Sequence, residues 1–322
     1  MVKQKGSTKL TKKELATKLG VSVSSLYYQS KREDIDQEVK SQIESVLADN
    51  PAYGHKRIAL ALKLNKKRIL RVMKKYNIRP YRRRRTKLIK RKDLDKPKTK
   101  YDNLIEKLVA NNQEGVTKPH LIWVADFTYL KWHNQFIYLA TVMDVYSRVI
   151  VGFNITRFHN QELVLGALEN ALTYFPRPEY IHSDQGSEYE SQLYTGFCGQ
   201  LGIKISHSRK SSPWENSYQE SFYSHFKVDL ADLNRFTDLA ELVENINMSI
   251  YYYNHKRIHT ILKSTPMARL QSYYKELGTW QSGEVGRVQA LGDDSVIPLP
   301  DQTFRYSEDY SDDELPSEDD LR

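Results

Sequence analysis

Cysteine is almost absent from this sequence, which holds only Cys198 among 322 residues. A single cysteine excludes an intramolecular disulfide and a cysteine-based zinc site. Long apolar runs are also missing, since none approaches the roughly 18–20 residues that a membrane-spanning helix needs. The basic start at residues 1–5 has no apolar segment behind it, so we expect no secretory signal. These absences predict a cytoplasmic protein of a reducing compartment that makes no membrane contact.

Charge is distributed unevenly along the chain. Residues 1–100 hold 30 lysines and arginines against 9 acidic residues, whereas residues 301–322 hold 9 acidic residues against 2 basic ones. A basic third joined to a near-neutral body indicates a polyanion-binding arm on a separate globular domain. Nucleic acid is the favoured partner because neutralising its phosphates releases counterions, while a merely solvated basic surface is the alternative. The acidic tail at 308–320 is expected to be disordered.

The N-terminal segment, residues 1–32, is predicted to form a helix-turn-helix. Thr11 and Glu14 fit a capping box, and Gly20 suits the left-handed turn that would end a first helix. Ser22 or Ser24 would cap a second helix that carries Leu26. An ordinary helical hairpin is the alternative.

A second helical DNA-binding domain is predicted at residues 33–81. Its last helix would start after Asn65, with apolar residues on one side and a basic outer side that suits a major groove and its phosphates. A basic linker is predicted at residues 82–117. It is either a mobile segment that also contacts DNA phosphates or a flexible connection without that role. The DNA-contact candidates in these segments are Lys66, Lys67, Arg68, Arg71, Lys74, Lys75, Arg82, Arg83, Arg84 and Arg85.

Residues 118–275 have the pattern of an α/β domain. Three consecutive segments rich in aromatic and β-branched residues predict an antiparallel meander, and helical and strand patterns alternate after it. The order β-β-β-α-β-α-β-α is that of a ribonuclease H-like core with a mixed five-stranded sheet. Residues 276–322 form the C-terminal segment that ends in the acidic tail.

Three carboxylates stand at chemically informative places in this predicted core. Asp126 lies inside the first strand, where an ionised carboxylate is costly unless paired or metal-bound. Asp184 ends the fourth strand and Glu220 lies in a helix, so the three can meet if the first and fourth strands are neighbours. Hard oxygen ligands suit Mg²⁺ or Mn²⁺, and two such ions can catalyse phosphoryl transfer. A cap, turn or salt-bridge role is the alternative for each residue alone, and it is favoured for Asp144, Asp229 and Glu188.

The spacing of these carboxylates resembles a known signature. Fifty-seven residues separate Asp126 from Asp184, thirty-five separate Asp184 from Glu220, and Lys227 follows Glu220 by two helical turns. The pattern resembles the Asp-Asp-Glu signature of retroviral-type integrases and bacterial transposases. The sequence is more similar to the insertion-sequence transposases of the family named after insertion sequence three. The motifs that carry this resemblance lie at residues 53–58, 123–129, 143–148, 182–186, 208–216, 220–222, 253–259 and 265–266.

The resemblance implies a DDE transposase that hydrolyses double-stranded DNA at transposon ends and joins the new 3′-hydroxyl to another phosphate. It implies Asp126, Asp184 and Glu220 as catalytic metal ligands for two ions, with Lys227 near the scissile phosphate. Arg209, Lys210 and Arg257 are further backbone-contact candidates, and His182 would either orient Asp184 or serve the strand. A bacterial, nucleoid-associated protein that forms a homo-oligomer on DNA is expected. Because this family more often carries its helix-turn-helix on a separate upstream-frame protein, such a protein is a candidate partner.

Two other readings of the function remain open at this point. One is a nuclease of the same fold that hydrolyses DNA without strand transfer. The other is a non-catalytic, domesticated DNA-binding regulator, which the three carboxylates disfavour because DNA binding alone does not require acids beside phosphate.

Overall fold

The computed structural model describes residues 11–26, 32–81, 101–104, 116–208, 217–278, 287–289 and 296–298. The chain divides into two compact units, Met1–Pro80 and Tyr81–Arg322. Within the described ranges, no helix has the length and apolar character required to cross a bilayer.

The first helix, α1 (Lys12–Leu19), begins at the expected capping box. The amide of Glu14 donates to Thr11 Oγ1 at 3.3 Å, and the Glu14 carboxylate accepts from the Thr11 amide at 2.8 Å. Gly20 ends the helix with φ at +66°, a left-handed conformation that glycine adopts at little cost. The described part of the second predicted helix is a 3₁₀ turn at Val23–Leu26, where the Ser25 amide donates to Ser22 Oγ at 3.2 Å; residues 27–31 lie outside the described part.

Three further helices complete the described part of the N-terminal unit. Asn65 caps the last of them, as expected, by accepting a hydrogen bond from the Lys67 amide at 2.8 Å. The apolar face of this helix is buried at Ile69, Val72 and Met73. The three helices are α2 (Arg32–Asp49), α3 (His55–Ala61) and α4 (Lys66–Lys75).

The second unit contains the mixed five-stranded sheet that the sequence pattern predicts. Its strand order is β3-β2-β1-β4-β5, with antiparallel pairing in the β1–β2–β3 meander and parallel pairing of β1 with β4 and of β4 with β5. The first and fourth strands are therefore neighbours, as the meeting of the carboxylates requires. The strands are β1 (Ile122–Trp132), β2 (Gln135–Asp144), β3 (Ile150–Thr156), β4 (Tyr180–Ser183) and β5 (Lys204–His207).

Helices cover both faces of this sheet, and the side chains of β1 alternate between them. Val124 and Leu130 pack in one buried cluster with α8 and α9, while Trp123 and Ala125 pack in the other with α5, α7 and α10. This alternation follows from the two-residue period of a strand. The helices are α5 (Gln161–Tyr174), α6 (Ser187–Glu190), α7 (Gln192–Gln200), α8 (Ser217–Asp229), α9 (Leu239–His255) and α10 (Pro266–Glu276).

Strand β1 extends well beyond its pairing with β4. The parallel register covers only Ile122–Val124 of β1, whereas the antiparallel register with β2 continues to Trp132. From Ala125 onward, β1 therefore has one strand neighbour among the described residues, and its other side is an edge.

Two short strands near the C-terminus, β6 (Arg287–Gln289) and β7 (Val296–Pro298), pair with each other antiparallel. The acidic tail lies outside the described residues.

Candidate active site

The sheet topology brings the three predicted carboxylates into one region of the second unit. Asp126 lies on β1 just past the end of the pairing with β4, and Asp184 directly follows β4. Because β1 and β4 run parallel side by side, their carboxyl ends lie at the same end of the sheet. Glu220 lies in the first turn of α8, the helix that packs on the Asp126 face of β1.

The electrostatics of Asp126 connect it to the other two acids. Burial, which contributes most, and the charges of Asp184 and Glu220 together raise the pKa of Asp126 to about 7. The Phe127 amide, which donates to Asp126 Oδ1 at 2.9 Å, and the Lys227 ammonium act in the opposite direction. An acid with this combination of burial and like-charged neighbours is typical of a functional site.

Asp184 also lies in an unfavourable electrostatic environment. The surrounding protein raises its pKa by excluding water, and the charge of Glu188 adds to that effect. The Gly186 amide, which donates to Asp184 Oδ1 at 3.0 Å, and His159 both lower the pKa. Asp184 is therefore influenced by Glu188, as Asp126 is by Asp184 and Glu220.

The donor set at this site fits a hard divalent cation. Carboxylate oxygens are the ligands that Mg²⁺ and Mn²⁺ prefer, and no sulfur competes here. A cation would also relieve the repulsion that raises the pKa of Asp126. Across the described ranges, no group of three or more His, Cys, Asp or Glu side chains is already arranged as an ion-binding cluster.

A buried hydrogen-bond network that sequence reasoning missed fixes α8 against β1. The Tyr223 hydroxyl donates to the Asp126 carbonyl at 2.7 Å and lies 2.8 Å from Thr141 Oγ1. Gln219 Nε2 donates to the Val124 carbonyl at 2.7 Å, and Gln219 Oε1 accepts from Thr141 Oγ1 at 3.0 Å. These two residues flank Glu220 on the helix, so the network sets the position of Glu220 relative to Asp126. The available signal was the presence of polar side chains on the buried face of a helix.

His159 and Glu188 form a second group that sequence analysis did not assign to the site. His159 Nε2 lies 3.1 Å from Glu188 Oε1, and the imidazole ring lies 4.6 Å from the Phe127 ring and 5.5 Å from the Tyr138 ring. The ion-pair role favoured for Glu188 is thus present, although its partner is close enough to influence Asp184.

The other acids outside the trio have the structural roles that the sequence favoured. Asp144 is buried and accepts hydrogen bonds from the His120 amide at 2.9 Å and from Ser147 Oγ at 2.6 Å. Asp229 pairs with Arg257, whose Nε lies 2.9 Å from Asp229 Oδ2.

The basic residues expected near the site separate into different environments. The Lys227 ammonium donates to the Tyr129 carbonyl at 2.9 Å and lies near enough to lower the pKa of Asp126. Arg257 is only 3% exposed, so its ion pair with Asp229 is internal and does not present a surface for a DNA backbone. His182 Nδ1 lies 2.9 Å from Ser206 Oγ of β5, a structural contact. Arg209 and Lys210 lie outside the described residues.

The basic face of α4 is likewise divided. Arg71 Nη1 donates to Asp36 Oδ2 at 2.6 Å, and Lys75 contacts both Asp36 and Glu33. These two cations are engaged inside the N-terminal unit and are less suited to phosphate than the sequence pattern indicated. The exposed members are Lys66, Lys67, Arg68 and Lys74, together with the paired Lys75, while Arg82, Arg83, Arg84 and Arg85 lie outside the described residues.

Comparison with known proteins identifies the second unit. Two family profiles, each described as an integrase core domain, match residues 116–213 and 201–266. A catalytic core of HTLV-2 integrase, solved in complex with magnesium, matches with 20% identity and a TM-score of 0.40 over 47% of this chain and 95% of that one.

Several curated relatives are transposases of insertion sequences. The transposase of IS904 from Lactococcus lactis is 37% identical over 45% of this chain and 58% of its own length. The transposase InsK of IS150 from Escherichia coli is 26% identical over 81% of this chain and 94% of its own length. A transposase-like protein of Haemophilus influenzae is 31% identical over 50% of this chain and 73% of its own length. The chain spans under two thirds of the IS904 protein, but it spans most of the other two. It therefore belongs to the integrase-core transposases of insertion sequences, within the retroviral integrase superfamily.

Proposed function

We propose that this protein is a DDE transposase that binds transposon-end DNA, cleaves it in a divalent-metal-dependent reaction and carries out strand transfer. One observation supports this most directly: Asp126, Asp184 and Glu220 come from three separate elements, yet both other acids act on the pKa of Asp126. Such a convergence of acids beside a cationic lysine suits phosphoryl transfer better than DNA binding alone.

In this proposal Asp126, Asp184 and Glu220 are the catalytic residues and would hold two Mg²⁺ or Mn²⁺ ions. When bound, such ions activate an attacking oxygen and stabilise the leaving oxygen of a phosphodiester. Lys227 supplies a positive charge for the DNA backbone beside Asp126. Gln219 and Tyr223 hold α8 on β1, so that Glu220 keeps its position when DNA binds.

The proposed partner is double-stranded DNA, both at the transposon ends and at the target. Lys66, Lys67, Arg68 and Lys74 present the exposed positive charge of α4 to phosphates. The sequence adds six candidate DNA contacts: Arg82, Arg83, Arg84, Arg85, Arg209 and Lys210.

Transposition requires two transposon ends to be held together, so we propose that the protein forms a homo-oligomer on DNA. We also propose that it is associated with the nucleoid. An upstream-frame protein is a further candidate partner.

A strand-transfer assay with labelled candidate ends and Mg²⁺ tests this function. We expect wild-type protein to yield both cleaved ends and joined products, and Glu220→Gln to lose both while retaining DNA binding. Glu179→Gln is the matched control, because Glu179 is exposed, pairs with Lys118 at 2.7 Å and lies before the opposite end of β4. The control should leave the products unchanged.

The same assay separates the two alternative functions. Cleaved ends without joined products from wild-type protein would favour a nuclease without strand transfer. Binding without cleavage in wild type, at every metal tested, would favour a non-catalytic regulator.

A further inference from the structure

Two aromatic side chains are exposed at the end of the β1–β2 pair. Tyr129 is 59% exposed and Phe136 is 37% exposed, and their ring centroids lie 5.4 Å apart in an edge-to-face arrangement. Tyr129 lies directly opposite Tyr138 in the antiparallel register, so these rings share the sheet face that α5 covers farther along. The exposed pair is thus the outer end of a row of rings on one face.

The inner end of this row reaches the candidate active site. Tyr138 and Phe127 both contact the imidazole ring of His159, whose Nε2 lies 3.1 Å from Glu188 Oε1. Glu188 and His159 in turn influence the pKa of Asp184. The rings therefore extend outward along β1 and β2 from the surroundings of Asp184. We refer to Phe127, Tyr129, Phe136, Tyr138 and His159 as the aromatic row.

Positive charge borders the exposed end of the aromatic row. The Lys227 ammonium lies 5.0 Å from the centre of the Tyr129 ring and donates to the Tyr129 carbonyl on the free edge of β1. Lys131 is exposed two residues farther along the same strand. Exposed rings bordered by cations match the two components of a nucleic acid strand, because rings stack on bases and cations attract phosphates.

We propose that Tyr129 and Phe136 form a stacking platform for unpaired bases of the DNA strand next to the scissile phosphate. The proposal rests on the proposed function, because it takes DNA held at Asp126 as the substrate. A base separated from its complement loses stacking, and an aromatic ring restores it without sequence preference. The lysines beside the rings favour DNA over an apolar surface of a second copy as the occupant.

Photochemical cross-linking can locate the stacked base directly. The probe is a duplex with a single-stranded oligothymidylate overhang that contains 5-iodouracil, mixed with full-length Glu220→Gln protein without divalent metal. Salt at about 0.3 M NaCl weakens attraction by the basic arm. We expect cross-links mapped by mass spectrometry to Tyr129 or Phe136.

Variants of the platform provide the quantitative test. Tyr129→Ala combined with Phe136→Ala should lower both cross-link yield and affinity for the overhang probe by about ten-fold, with blunt-duplex affinity unchanged. Tyr129→Phe should retain both, since the ring remains. Tyr251→Ala, at a tyrosine that is 39% exposed on α9, is the matched control and should have no effect. Unchanged thermal melting of the double variant would show that its fold is intact.

The outcomes distinguish this platform from the proposed function. Cross-links that map elsewhere, or a double variant that binds the overhang normally, would overturn the platform even if strand transfer occurs. The double variant could instead change the oligomer size and leave the cross-linking unchanged. That result would assign these rings to a contact between subunits and would also overturn the platform. Cross-linking at Tyr129 or Phe136 by a protein that never cleaves DNA would support the platform and reject the transposase activity.

Discussion

At the scale of single residues, the Tyr223 hydroxyl links the catalytic strand to the helix that carries Glu220. It donates to the Asp126 carbonyl beside Thr141, and both Tyr223 and Thr141 are buried. Burial raises the pKa of Tyr223 well above its usual value, so the hydroxyl stays protonated and remains a donor. Removing a donor from a partly buried carbonyl lowers stability because water replaces the lost hydrogen bond only in part.

Tyr223→Phe should therefore lower the free energy of unfolding by about 1–3 kcal/mol, because the Asp126 carbonyl would lose this donor. Urea unfolding followed by tryptophan fluorescence measures the change. Tyr251→Phe, at an exposed tyrosine, is the control and should cost less than about 0.5 kcal/mol. Equal stability of the two variants would mean that the Tyr223 hydroxyl contributes little.

At the scale of elements, helix α4 shows how one basic face can serve two purposes. Asp36 of α2 is only 1% exposed and attracts Arg71 and Lys75, which leaves the rest of the basic face to solvent. Asp36 and Arg71 are 35 positions apart in the sequence, so no local pattern indicates their pairing.

Arg68→Ala and Arg71→Ala should consequently have different effects. Arg68→Ala should weaken DNA binding across sequences and reduce the salt slope of binding by about one, with melting unchanged. Arg71→Ala should lower the melting temperature, because it leaves a buried carboxylate short of a partner. Salt-dependent fluorescence anisotropy and calorimetry measure the two effects. If both variants lost the same DNA affinity and had the same melting temperature, Arg68 and Arg71 would not differ in role as inferred.

The Asp36 ion pairs should also make the N-terminal unit sensitive to acid. Arg71 and Lys75 hold the pKa of Asp36 well below its usual value of about 3.9. A depressed pKa stabilises the folded state above the unfolded value, and that stabilisation is lost as the pH falls below about 4. Calorimetry should show Asp36→Asn melting below wild type at pH 7, with the difference narrowing at about pH 3. A constant difference would mean that titration of Asp36 does not contribute.

At the scale of the whole molecule, opposite charges occupy the two ends of the chain. The acidic last twenty-two residues can attract the basic first hundred and so compete with DNA for them. The tail lies outside the described residues, so the expectation rests on sequence alone.

Deletion of residues 301–322 should tighten nonspecific DNA binding at low salt, because it removes nine acidic side chains that would shield the basic arm. Anisotropy titrations with random-sequence duplex at low and high salt measure this, and the difference between the two proteins should shrink as salt rises. Unchanged affinity at low salt would reject shielding by the tail.

Element order was predictable for this protein because it depends on local periodicity. The two-residue period of the strands, the 3.6-residue period of the helices and the caps at Thr11 and Asn65 all act within a few residues. They were sufficient to predict the meander, the alternating units that follow it and the ribonuclease H-like class. The described part of the expected second helix is the 3₁₀ turn at Val23–Leu26, at a place where the Ser22 hydroxyl accepts a hydrogen bond from the Ser25 amide.

The sequence by itself determined the order of elements, the charge polarity and the family to which the three acids point. Only the tertiary structure decided which partners those residues meet. It placed Arg257 against Asp229, Arg71 against Asp36 and Tyr223 against the Asp126 carbonyl. It also carried β1 beyond β4, which leaves Tyr129 at an edge. The physical reason is that such pairings depend on strand register and helix packing across long stretches of chain, which no local pattern encodes.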